Sequence, residues 1–136
     1  MAPGRPLGGK HDADFQPNGH ITVFNNNSDG SETKVMGDSN IMEVNPATGE
    51  TTIKYGAAPD QKMFTGHMGK HQILENGNIL ITEAMAGRAF EVNPNGDIVW
   101  EFVNRYDKDK VALVTEATRY PENYFTVKDW KCEVLK

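Results

Sequence analysis

A histidine and two aspartates stand close together near the start of the chain, in the stretch KHDADF that contains His11, Asp12 and Asp14. A neutral imidazole can act as a nucleophile, and its ordinary pKa of about 6.5 leaves it mostly neutral at pH 7. Asp12 and Asp14 alternate along a strand-like run, so both carboxylates could face one calcium ion. Two carboxylates are too few to define a metal site, and we predict none. The alternative is an ordinary polar strand end.

Other side chains of the same chemical kinds recur along the chain. His67 and His71 lie four residues apart in TGHMGKH. That spacing suits zinc only on a helix, and two glycines make a poor helix. For His71 a structural role is the favoured alternative. Arg88 and Arg119 could hydrogen-bond an anion. Arg88 could instead pair with a glutamate on either side of it, and Arg119 could pack against the tyrosine that follows.

Two similar units would position these residues. FQPNGHITVF, at 15–24, resembles ILENGNILIT, at 73–82, and MEVNPATGETTIKY, at 42–55, resembles FEVNPNGDIVWEF, at 90–102. Each unit therefore has the same two halves in the same order. The first unit carries a polar insertion between its halves, in NNNSDGSETKVMGDSN, which is typical of a loop.

Each half is typical of a β-hairpin, because Asn-Gly or Asn-Pro followed by glycine separates runs rich in β-branched and aromatic residues. Two hairpins give four short strands in about 50 residues, the size of a β-propeller blade. We predict an all-β fold, with one unit at about 11–55 and a second at about 69–103. Residues 107–136 would open a further unit and end with a strand in DWKCEVLK. The alternative is an eight-stranded sandwich.

Two blades do not close a ring, so the chain is expected to be the C-terminal part of a larger propeller, and its open blade edges could self-associate. The 136 residues carry a net charge of −5 and no basic stripe, which argues against nucleic-acid binding. No apolar run is long enough to cross a bilayer, and the first residues do not resemble a signal peptide. Cys132 is the only cysteine, so no internal disulfide can form.

The ordered series GKHDADFQPNGHITVFNN, IMEVNPATG, GKHQILENGNILITEAMAGRAFEVNPNGDIVWEFVN and EATRYPENYF resembles the last blades of the arylsulfotransferase family. The resemblance covers roughly His11 to Phe125. It implies a β-propeller whose central channel transfers a sulfuryl group from a phenolic sulfate ester to a phenol, through a sulfated histidine and without a cofactor. His11 matches the catalytic segment of the family, and Arg88 and Arg119 match recurrent arginines.

We therefore expect His11 to be the nucleophile and Arg88 to steady the sulfuryl oxygens, with His67, His71 and Arg119 at the substrate. Alignment of the units on their Asn-Gly turns places His11 two positions from the equivalent of His71, so both would lie on first strands and share one face. A non-catalytic propeller that binds a protein, a sugar or another anionic ligand is the second hypothesis. A metal-dependent lyase or hydrolase that uses the His11–Asp12 region is the third.

Overall fold

The computed structural model of the chain describes residues 9–28 and 36–126, and these residues form two antiparallel sheets of four strands. The predicted all-β fold is confirmed, and its only described helical element is a single 3₁₀ turn at Ala84–Ala86. The first sheet contains β1 (Lys10–Phe15), β2 (Ile21–Asn25), β3 (Asn40–Val44) and β4 (Thr51–Tyr55), and the second contains β5 (Lys70–Ile73), β6 (Ile79–Glu83), β7 (Arg88–Val92) and β8 (Ile98–Val103). Strands follow one another in sequence order within each sheet, as in the blades of a propeller.

The four predicted hairpin turns, at 18–19, 46–49, 76–77 and 94–96, are confirmed. Gly19 and Gly77 have φ angles of 81° and 84°, in the left-handed region that glycine enters at little cost. The N–H of each donates back across its turn, to the carbonyls of Gln16 and Leu74 respectively. Local turn chemistry therefore sets the register of both hairpins. The predicted strand in DWKCEVLK lies outside the described residues.

The hydrophobic core lies between the two sheets. Phe24 and Ile41 of the first sheet are fully buried, as are Ile81 and Phe90 of the second. The core cluster contains Phe24, Ile41, Tyr55, Met63, Ile79, Ile81, Phe90 and Val92, with Ile73 packed against it. Since these residues come from both sheets, burial of their apolar surface holds the sheets face to face.

Buried polar contacts fix the segment that connects the sheets. The Asn26 side chain is fully buried and donates to the carbonyls of Thr65 and Met68, each at 2.7 Å. Ser39 Oγ accepts the N–H of Thr65 at 3.1 Å. These bonds lock the entry to β5 against the end of β2, and so determine where β5 meets the first sheet.

The segment after β8 runs along the second sheet. Its Ala117 N–H donates to Thr82 Oγ1 at 3.0 Å, and the Gln72 amide pairs with both the N–H and the carbonyl of Arg119. Side chains alternate along β6, so Thr82 faces away from the core residue Ile81 and from the first sheet. Residues 117–119 therefore cover the far face of the second sheet and lie within the region, 107–136, that was predicted to open a further unit.

Candidate functional site

His71 of β5 is a buried polar residue at the interface of the sheets. Its side chain is fully enclosed, and its Nε2 lies 2.8 Å from Thr22 Oγ1 of β2. Gln16, in the first turn, donates its side-chain N–H to the same threonine oxygen at 2.8 Å. Thr22 is itself buried, so this chain of hydrogen bonds holds the imidazole in one orientation.

Asp12 lies opposite the other nitrogen of this ring. Its Oδ2 accepts the backbone N–H of His71 at 2.6 Å and lies 3.1 Å from His71 Nδ1. Partial burial acts to raise the pKa of Asp12, but its contacts with the side chain and backbone of His71 outweigh burial, and the pKa falls below its usual range. Asp12 is therefore a carboxylate at neutral pH.

A β-bulge at Asp12 produces this contact. His11 pairs with Phe24 and Ala13 pairs with Val23, so Asp12 is an extra residue in β1, with a φ of 55°. Left-handed backbone is uncommon outside glycine, and aspartate is among the residues that tolerate it. The bulge interrupts the alternation of β1, and Asp12 reaches β5 instead of pointing along the strand.

Asp14 completes a cluster with Asp12 and His71. One ligand-type atom from each of the three side chains lies within 4.8 Å of the others. Asp14 is exposed, Asp12 is partly buried and His71 is buried, so the cluster opens to solvent on one side. The structure thus brings together three of the histidines and aspartates considered above, from strands that are far apart in sequence.

The bulge also corrects the expected register of His11. His11 pairs with Phe24, and the equivalent of Phe24 in the second sheet is Thr82, which pairs with Lys70. His11 is therefore equivalent to Lys70, whereas the turn alignment matched it to Gly69. His11 and His71 do lie on the first strands of their sheets, as predicted. The register therefore places His11 one position nearer to His71 than the turn alignment does, and a cavity shared by the two imidazoles stays a prediction.

His11 and His67 are the exposed histidines of the candidate set. Within residues 9–28 and 36–126, the imidazole of His11 makes no hydrogen bond or ion pair. The backbone carbonyl of His67 accepts a hydrogen bond from Thr65 Oγ1 at 2.7 Å, and its ring has no hydrogen-bond partner in the described parts of the chain. Both rings are therefore free to meet a ligand from solvent.

The two candidate arginines are already paired with carboxylates. Arg88 contacts Glu83 Oε2 through Nη1 at 3.2 Å and Glu101 Oε1 through Nε at 2.5 Å. Its guanidinium also lies 4.1 Å from the ring centroid of Phe90, which favours a cation–π contact. The pairing of Arg88 with a neighbouring glutamate, considered from the sequence, is thus confirmed for Glu83.

Arg119 lies on the far side of the second sheet. Its Nη1 is 2.6 Å from Glu91 Oε2, and its guanidinium is 5.9 Å from the ring of Trp100. Arg119 and Tyr120 also line a cleft of about 290 Å³ beside the turn between β5 and β6. None of the contacts described above joins Arg119, Arg88 or His67 to His11.

Comparison with known protein families matches residues 3–105 to the family described as arylsulfotransferase (ASST). This span is most of the 136 residues, and the chain belongs to the arylsulfotransferase family. No curated protein matches the chain. Among the described residues, no helix has the length and apolar character needed to cross a membrane.

Proposed function

We propose that this chain acts in the transfer of a sulfuryl group from a phenolic sulfate ester to a second phenol, and that His11 carries the group between them. Family membership supports sulfotransferase-like chemistry at the level of the family. The observation that favours His11 is its free imidazole, exposed at the first strand of its sheet within the KHDA stretch. A nucleophile must itself reach the sulfur of the ester, and the His71 side chain is fully enclosed.

The proposed reaction has two balanced steps. A neutral nitrogen of His11 attacks sulfur, the bond from sulfur to the phenolic oxygen breaks, and the departing phenolate takes the proton that the imidazole releases. The oxygen of the second phenol then attacks the sulfohistidine, the nitrogen–sulfur bond breaks, and a proton returns to the ring. The covalent intermediate divides one difficult transfer into two easier steps. This route predicts ping-pong kinetics.

Arg88 is the proposed partner of the sulfuryl oxygens. Its guanidinium would release Glu101 and bind the sulfuryl oxygens instead. Glu101 is the partner it would release because the Glu101 side chain is 45% exposed, whereas the Glu83 side chain is only 8% exposed. Glu83 would keep the guanidinium in place through Nη1. His67 and Arg119 are proposed to contact the substrate from loop positions. His71, enclosed between the sheets, is proposed to hold β1 in position through Asp12 and β2 through Thr22.

The test follows release of a coloured phenol from an aryl sulfate, with a second phenol as acceptor. His11→Ala is expected to abolish turnover, since the covalent route has no other carrier, and to leave unfolding unchanged, because the side chain is exposed. Arg88→Ala is expected to slow the reaction by about 10²–10³, the usual loss for one transition-state donor. His20→Ala is the histidine control and should keep full activity. Unchanged turnover in folded His11→Ala would refute the assignment.

A binding module is the second candidate, favoured by the cleft that Arg119 and Tyr120 line. An arginine beside aromatic rings suits an anionic aromatic ligand without any chemistry. Saturable binding of phenyl sulfate that Arg119→Ala abolishes, in a chain with no turnover, would support this reading in place of the enzyme.

A further inference from the structure

We infer that Asp12, Asp14 and His71 form a binding site for a divalent transition-metal cation, for which zinc serves as the test ion. The inference concerns metal binding alone and does not depend on sulfuryl transfer. It begins with a buried polar atom that lacks a well-directed hydrogen bond. His71 Nδ1 is fully enclosed, and its contact with Asp12 Oδ2 at 3.1 Å does not have the geometry of a hydrogen bond, although buried polar atoms are normally hydrogen-bonded.

The direction of the Asp12 oxygen explains why a shared cation suits this nitrogen better than a hydrogen bond. Asp12 Oδ2 is 3.1 Å from His71 Nδ1, yet it lies too far off the axis of the ring nitrogen to accept a proton well. A cation on that axis, at about 2.0–2.1 Å from nitrogen, can bind an oxygen that lies to the side. Two ligands of one zinc ion are roughly 3 Å apart, which is the separation observed here.

The other ring nitrogen prepares His71 for this role. If Nε2 carries the proton, it donates to Thr22 Oγ1 at 2.8 Å and leaves the lone pair of Nδ1 directed at the cluster. A hydrogen bond from the second nitrogen is the usual support of a histidine that binds a metal. Gln16 in turn fixes Thr22, so the ring cannot turn away without breaking a buried network.

Asp14 supplies the third ligand and the opening to solvent. Its carboxylate lies within 4.8 Å of the ligand atoms of Asp12 and His71, and its side chain is exposed. A cation could therefore enter from solvent and keep water at a remaining position, as in zinc sites with three protein ligands. Together the two carboxylates balance the charge of a divalent ion.

The donor set decides the class of cation. Calcium and magnesium prefer sites built from oxygen alone, whereas one imidazole with two carboxylates suits zinc, manganese, cobalt or iron. From the sequence, Asp12 and Asp14 could face a calcium ion, but two carboxylates are too few to define a site and none was predicted. The structure adds the nitrogen ligand of His71, which is remote along the chain.

The test measures zinc chloride binding by isothermal titration calorimetry, using the untagged chain treated with a chelator and then dialysed. We expect one equivalent to bind and to raise the melting temperature, since the ion would join β1 to β5. Asp14→Asn is the main variant, because the exposed side chain has no role in the core, and it should weaken binding at least tenfold. Asp60→Asn, at another exposed aspartate, is the matched control and should bind like the original chain.

Two further measurements address the donors themselves. Cobalt chloride should give visible absorption bands of a nitrogen- and oxygen-ligated ion, and Asp14→Asn should alter them. Calcium chloride at the same concentration should bind more weakly than zinc. The inference is overturned if zinc shows no saturable binding, if Asp14→Asn binds as tightly as Asp60→Asn, or if calcium binds better. His71→Gln, where it folds, should also lose tight binding, and Asp14→Asn decides the matter where it does not.

Discussion

Protonation of Glu43 is expected to weaken the first sheet in acid. This residue of β3 places its carboxylate among three donors from the adjoining turn and strands. Asn18 Nδ2 donates to Oε1 at 3.0 Å, His20 Nδ1 lies 2.6 Å from the same oxygen, and Lys54 Nζ is 3.0 Å from Oε2. The side chain of Glu43 is only 13% exposed, so water competes weakly for these contacts.

The size of the effect follows from the pKa of Glu43. Hydrogen bonds from Asn18, Lys54 and His20, in that order, lower the pKa from 4.5 to about 2. Because the folded pKa lies below the unfolded one, the stabilisation is present above pH 4.5 and is lost as pH falls towards 2. Its upper limit is about 3 kcal/mol. We expect roughly 1–2 kcal/mol, since the Lys54 side chain is 44% exposed and screened by solvent.

The measurement is urea unfolding of the original chain and of Glu43→Gln at pH 7, 4 and 2.5. Glutamine keeps the shape and can still accept from Asn18, so the variant isolates the charge. It should be less stable by about 1–2 kcal/mol at pH 7, and the difference should shrink towards zero at pH 2.5. Glu50→Gln, at an exposed position in the following turn, should change little at any pH. A constant difference between the chains at all three values would refute the reasoning.

Two further substitutions test how the sheets meet. Gly69→Ala would place a Cβ 2.7 Å from the Phe24 ring at a φ of 98°, so we expect the free energy of unfolding in urea to fall by about 2–4 kcal/mol. Gly19→Ala, at a φ of 81° in open space, is the control and should lower it by about 1 kcal/mol. Equal losses would contradict the packing argument. Asn26→Ala removes the two side-chain hydrogen bonds to the connecting segment, so the free energy of unfolding should fall by about 2–4 kcal/mol and amide exchange at Thr65 should become faster. A fall below about 1 kcal/mol would show that these two hydrogen bonds do not hold the segment.

The features predicted from sequence are those that neighbouring residues determine. Asn18-Gly19 and Asn76-Gly77 specify tight turns by their own backbone preferences, and the alternating β-branched residues beside them specify strands. The two-sheet fold therefore follows from local chemistry.

The candidate site depends on contacts that no local pattern encodes. Asp12 and His71 are distant in sequence, and their contact requires a β-bulge at Asp12. A glycine at this position would have indicated a bulge, but an aspartate does not. Because it ignores the bulge, an alignment on the turns gives the wrong register for His11. The pairing of Arg88 was predictable because Glu83 lies opposite it on the adjoining strand, whereas the contact of Arg119 with Glu91 depends on how residues after β8 return to the sheet.

The β-bulge at Asp12 has two chemical consequences. It turns the carboxylate towards His71, and it sets the side chain of the preceding residue, His11, in register with Lys70. Two carboxylates beside a proposed nucleophile would repel an anionic sulfate ester. A divalent cation held by Asp12, Asp14 and His71 would cancel that charge. The metal site and the sulfuryl site, proposed on separate grounds, are thus compatible. The metal would neutralise the carboxylate charge that would otherwise repel the substrate.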